Sequence, residues 1–195
     1  MLEPTLTQTT LPTTWVQSPN KLIQTPNQNI LDWLTKPYIL SHALRKIAHS
    51  LKLTLISQQT DFVLPEERLC LNFCEQDQYS ALVRKIFLHS EHEHYIFART
   101  IVPPKTYQAL QAELESVGDN FIGEYLLYNK SEVQRDAFEY AYMTKEMAMM
   151  QELQALMPES VFKAGLWARR SCFWIQKFPL LITELFLSDL PRFPC

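Results

Sequence analysis

The chain has 195 residues, 47% of them hydrophobic and 12% aromatic, with a formal net charge of −3. That supplies the core of one packed domain plus a tail, and the acidic balance with no Lys/Arg tract excludes the usual electrostatic footprint of nucleic-acid binding. The start, MLEPTLTQTTLPTTW, lacks the order of a secretory signal and no later run approaches the roughly 20 apolar residues of a membrane-spanning helix, so a soluble cytoplasmic protein that handles small molecules is expected.

Residues 1–28 are dominated by Thr, Gln, Pro and Asn, with Trp15 as the one large anchor, so an irregular N-terminal arm is expected before a single domain over 29–195. From Asn29 the pattern turns helical: Ile30, Leu31, Trp33 and Leu34 form a stripe that Pro37 ends. Ser41 is the expected cap of a second helix, with Leu44, Ile47, Ala48 and Leu51 on one face. Residues 53–57 read as a strand, and 69–73 as a second apolar piece. YSALVRKIFLH at 79–89 is a stronger strand that pairs, across SEHEH, with YIFARTIV at 95–102. Pro103-Pro104 stops that hairpin, and Thr106 is the expected cap of a helix carrying Tyr107, Leu110, Leu114 and Val117 up to Gly118.

Residues 134–142 read as another strand, followed by a helix over about 144–157 with Met143, Met147, Met150 and Leu153 on one side. Residues 168–176 and 180–187 form a second hairpin. Helices and antiparallel hairpins without a βαβ rhythm predict an α+β fold, an antiparallel sheet of about six strands with helices covering one face.

The last strand, LLITELFL, sets one carboxylate in an apolar run. With a side-chain period of two, Glu184 shares a face with Leu180, Ile182 and Phe186. A carboxylate there either reaches water at a rim or is buried and needs a partner. Arg84 mirrors it, sharing a face with Leu82, Ile86 and Leu88. The two are complementary ends of one pocket, or a structural ion pair, or groups that snorkel out to water. Arg169 and Arg170 point to opposite faces of their strand, so at most one of them faces any pocket. His89, His92 and His94 lie around a hairpin turn and read as solvated, with no third metal ligand fixed. Cys70, Cys74, Cys172 and Cys195 have no CxxC spacing, the Met stripe reads as packing, and no glycine loop exists to cradle a phosphate.

In order and spacing, LDWL at 31–34, ARTIVP at 98–103, IGEYL at 122–126, LWARRS at 166–171 and PLLITELFL at 179–187 resemble bacterial chorismate pyruvate-lyase. The resemblance runs from about Ile30 to Pro191 and implies the chorismate lyase-like fold. It also implies conversion of chorismate to 4-hydroxybenzoate and pyruvate in ubiquinone biosynthesis, without a metal or organic cofactor. A monomer with no nucleic-acid partner and no integral membrane segment is expected.

Position by position, the resemblance puts the family's ring-carboxylate Arg on Arg84 and the Glu that faces the 4-hydroxyl on Glu184. Two main-chain substrate contacts fall on Leu40, before Ser41, and Ile122, before Gly123. The chain departs from the family at Gln58-Gln59, where a Glu-Gly pair is usual, and at the hairpin tip over 176–179. It departs also in its Met-rich segment, read as an inserted surface helix. The alternative is a non-catalytic module of the same fold that senses aromatic acids. Sensors of that kind carry a basic DNA-binding domain ahead of the fold, where this chain has its Thr/Gln/Pro arm.

Overall fold

The structure, a computed structural model, describes residues 13–36, 39–71, 79–128, 132–158, 165–187 and 190–194. The predicted helix stop at Pro37, residues 72 and 73, and Cys74 and Cys195 lie outside them. In chain order the elements are α1 (Gln28–Thr35), α2 (Leu40–Ile47), β1 (Lys52–Phe62), α3 (Pro65–Cys70), β2 (Ser80–His89), β3 (His94–Val102), α4 (Pro104–Ala109) and α5 (Gln111–Val117). A π-helical turn (Gly123–Leu127) follows, then β4 (Val133–Arg135), β5 (Glu139–Met143), α6 (Ala148–Gln154), β6 (Leu166–Ile175) and β7 (Phe178–Phe186).

The strands form one seven-stranded sheet in the order β1-β2-β3-β7-β6-β4, with β5 also paired to β6, and every ladder is antiparallel. Both predicted hairpins form the centre of this sheet. On one face α1 and α2 pack Trp33, Leu34 and Leu44 against Ile86, Leu88, Ile96 and Phe186. Beside them α5 and the π-helical turn pack Leu114, Val117, Leu126 and Leu127 on Val102, Phe173 and Leu180. Burying each such side chain contributes about 1.5–3 kcal/mol, so this layer fixes where the helices sit on the sheet.

Local details differ from expectation for physical reasons. Ile39, with no side-chain cap bond, precedes α2, and Ser41 lies buried inside its first turn. Thr106 is likewise inside α4, where its hydroxyl donates to the Pro179 carbonyl at 2.7 Å and ties that helix to β7. The strand expected at 53–57 runs twice as far, because β2 offers partners along its whole length past a bulge between Leu55 and Ser57. The apolar piece beginning at Leu69 is the end of a helix, favoured by Pro65 at its start and by Glu66 and Glu67 in its first turn. The strand expected at 134–142 is split into β4 and β5, both on β6.

The sheet has a second, smaller cover. Helix α6 packs Met149, Met150 and Leu153 on Phe87, Phe97, Ala168 and Leu185 on the reverse face, so the Met-rich segment is core rather than the surface helix expected. Arg99 of ARTIVP also faces this side, fully buried. It donates to the Glu67 carboxylate at 2.8 and 3.2 Å and to Glu152 of α6 at 3.0 and 3.2 Å. Burial pushes the Glu67 carboxyl up, against the pull of Arg99. Removing one partner of such a pair costs about 3–5 kcal/mol, so Arg99 holds α3 and α6 to the sheet.

Of the predicted arm, the described part is docked: Val16 forms a β-bridge with Tyr140, and the Arg170 guanidinium stacks 4.2 Å over the Trp15 ring. No helix among the described residues is long and apolar enough to cross a membrane.

Candidate active site

A cavity lies between the helical layer and the sheet. Its floor is Ile86, Leu88, Ala98, Thr100, Ile182, Glu184, Arg169, Ser171 and Phe173, which alternation sends to one face of four adjacent strands. Its roof is Ile39, Leu40 and Ser41 at the start of α2 and Phe121, Ile122, Gly123, Leu127 and Tyr128 around the π-helical turn, with Phe138 closing one side. A smaller cavity, lined by Gln58, Leu82, Arg84 and Val117 among others, adjoins it and shares Thr100 and Ile122.

Three of the four predicted residues, Leu40, Ile122 and Glu184, therefore line the main cavity, and Arg84 lies in its annex. Arg84 pairs across the sheet with Thr100, which pairs with Ile182, while Glu184 sits one side-chain row away between Ala98 and Arg169. Strand spacing alone puts the two charged positions roughly 12 Å apart at Cα.

They do not pair with each other. Arg84 is 3% exposed and donates to Gln58 Oε1 at 2.6 Å, to the Gly118 carbonyl at 2.7 Å and to the Asn120 carbonyl at 3.0 Å. Gly118 has φ +49°, a left-handed conformation that reverses the chain after α5 and brings these carbonyls onto the guanidinium. All three acceptors are neutral, and Arg84 Nε, also buried, has no partner among the described residues. Burial lowers the Arg84 pKa, and Asp119 opposes it. The result is a desolvated cation with a spare donor, an arrangement that favours an anion.

Glu184 instead meets Arg169, whose Nε donates to Glu184 Oε2 at 2.5 Å. The guanidinium is 2% exposed, donates through Nη1 to the carbonyls of Trp33 and Leu34 at 3.2 and 3.4 Å, and lies 4.4 Å over the Phe138 ring. Burial first, and then the Glu184 carboxylate, hold the Tyr128 phenol above its usual range, so Tyr128 is a neutral group at the cavity mouth. Arg170, as alternation requires, faces the other side and donates to Glu139 at 2.8 Å.

The Arg169–Glu184 pair is the feature missed by reading each strand alone. The signal lay in the turn: Gln176, with φ +57°, and Lys177 join β6 to β7. Counting seven residues back from Gln176 and seven on from Lys177 puts Arg169 opposite Glu184. Gln58 stands out in the sequence only as a departure from the family, and its place beside Arg84 follows from β1 running on past the expected end at Ser57.

The two roof segments are tied to each other. Glu124 of the π-helical turn accepts from Arg45 and Ser41 of α2, with His42 3.9 Å away. Elsewhere, His89 stacks on His94 and bonds Thr54 and the Ser90 carbonyl. No group of three metal-ligating side chains occurs among the described residues. Burial pushes the Cys70 thiol up to about 11 and the Cys172 thiol to about 12, far from a nucleophilic thiolate.

The family model described as chorismate lyase matches residues 10–193. A Psychromonas ingrahamii protein named "Probable chorismate pyruvate-lyase" is 31% identical over 84% of this chain and 84% of its own. The chorismate pyruvate-lyase of Pectobacterium atrosepticum is 29% identical over 91% of this chain and 85% of its own. Among solved structures, PhnF from Mycobacterium smegmatis shares the fold with a TM-score of 0.50 at 12% identity, over 80% of this chain and 66% of that one.

Proposed function

The chain belongs to the chorismate lyase family, and from that premise we propose that its cavity converts chorismate to 4-hydroxybenzoate and pyruvate, the first committed step of ubiquinone biosynthesis. The single observation that carries the reading at the level of residues is the two-ended cavity. A buried cation with neutral partners stands in the annex that adjoins the cavity and a carboxylate lines the cavity itself, with apolar side chains between.

Chorismate and its products balance without water or an oxidant: the C3–O bond to the enolpyruvyl group breaks, C4 loses its hydrogen, and the enolpyruvyl methylene becomes the pyruvate methyl. Aromatisation of the ring drives the step, so the protein's task is to hold the reactive conformer and exclude water. Arg84 takes the ring carboxylate through Nε and a donor now on a neutral acceptor. The backbone at Leu40, in the first turn of α2 where N–H groups lack helical partners, and at Ile122 supplies further contacts. Glu184, with Oε2 already on Arg169, presents Oε1 to the C4 hydroxyl. In this reading Glu184 orients that hydroxyl while the hydrogen passes within the substrate.

No cofactor enters this scheme. The reading takes the protein to act as a monomer in the cytoplasm. Incubating the purified protein with chorismate and identifying the aromatic product tests the function. 4-Hydroxybenzoate with equimolar pyruvate is the expected result. Unconsumed chorismate would mean a sensing module, and 3-hydroxybenzoate a different lyase.

A further inference from the structure

The Arg169 guanidinium is fixed at both ends. Nη1 is held by the last-turn carbonyls of α1, Trp33 O and Leu34 O, its plane rests on Phe138, and Nε is left for one oxygen of Glu184. Glu184 Oε1 has no hydrogen bond among the described residues, and its side chain keeps 17% of its surface open at the cavity wall. A carboxylate free at both oxygens samples several rotamers; one clamped through Oε2 presents the other oxygen in one direction.

We propose that Arg169 is a positioning residue for the lyase reaction: by clamping Glu184 Oε2 it aims Oε1 at the substrate's C4 hydroxyl and makes the site select ring acids that carry a donor there. The proposal rests on the reading of Glu184 as the hydroxyl contact. It assigns Arg169 no contact with the substrate's carboxylate, which goes to the other end of the cavity. The clamp also links the α1–α2 segment that roofs the site to the residue that reads the hydroxyl, because the same guanidinium serves both.

The test compares the affinities of 4-hydroxybenzoate and benzoate, which differ only in the hydroxyl, for the wild type, Arg169→Gln, Arg169→Lys, Glu184→Gln and the double variant R169Q/E184Q. Thermal denaturation confirms that each is folded. Wild-type protein should prefer 4-hydroxybenzoate. Arg169→Gln should cut that preference roughly five- to tenfold, the worth of a charge-assisted over a loosely held bond, with benzoate affinity unchanged. The double variant should be no less selective than Glu184→Gln alone. A single ammonium cannot serve both Glu184 and the α1 carbonyls, so Arg169→Lys should also lose preference and carries the test if the Gln variant does not fold. Equal weakening of both ligands in the Arg169 variants would assign Arg169 to structure alone and overturn the proposal, as would an unchanged preference. Full preference retained by Glu184→Gln would instead remove the Glu184 assignment on which the proposal rests.

Discussion

Arg84 is buried among neutral acceptors and keeps one donor unpaired, so among the described residues its charge is balanced by no carboxylate in contact. Replacing it with Ala should weaken 4-hydroxybenzoate binding by on the order of 2–5 kcal/mol, read by titration calorimetry. Unchanged affinity would refute its assignment to the ring carboxylate. For Glu184, an orienting role predicts that Glu184→Gln lowers kcat by less than about tenfold, because the amide oxygen can still hold a neighbour. A fall of roughly 10²–10⁴ in kcat would identify Glu184 as the proton acceptor. Both residues were legible from alternation, since a charge repeated in phase with Leu and Ile on a strand stands out. Which residue each one touches was not legible, because Gln58, Gly118 and Arg169 come from other elements whose register depends on turn geometry.

The roof over the cavity is two short elements, and their tie is electrostatic. Burial pushes the Glu124 carboxyl up, but the bonds from Arg45 and Ser41 outweigh it and leave the group below the ordinary glutamate value of 4.5. A depressed carboxyl contributes stability that is complete above its unfolded value and is lost as pH falls through its folded one. The difference in Tm between wild type and Glu124→Gln should therefore favour wild type at pH 7 and shrink toward zero below about pH 4.5. A difference that does not vary with pH would show that the tie contributes no charge term. On the reverse face Met150 is fully buried, and Met150→Ala should cost about 2–5 kcal/mol in denaturant unfolding with kcat/KM little changed. A selective loss of activity would mean that α6 reaches the site. Helices α1, α2 and α6 were legible from apolar spacing, but α3 was not, the one helix expected up to Gly118 is two that meet at Leu110, and the caps were not legible. Ser41 and Thr106 sit one or more residues inside their helices, because Ile39 and Pro103 start them and each hydroxyl has a tertiary partner.

At the scale of the molecule, the sheet does what no single segment does. Four strands from two hairpins place Arg84, Thr100, Glu184 and Arg169 on one face in adjacent rows, and the helical layer covers them. The α+β class and both hairpins followed from strong local patterns. The seventh strand depends on long-range pairing with β6, and although the stripe of Met150 and Leu153 was legible as a packing surface, the sheet face it covers is set by tertiary contacts that local periodicity does not encode. The cavity and its annex offer two cations, Arg169 and Arg84, so the direction in which an aromatic acid enters is the point on which the account stands. A crystal structure with 4-hydroxybenzoate bound measures it directly. The carboxylate should lie within hydrogen-bonding distance of Arg84, with the hydroxyl on Glu184 Oε1; a ring turned end for end, its carboxylate on Arg169, would contradict the account.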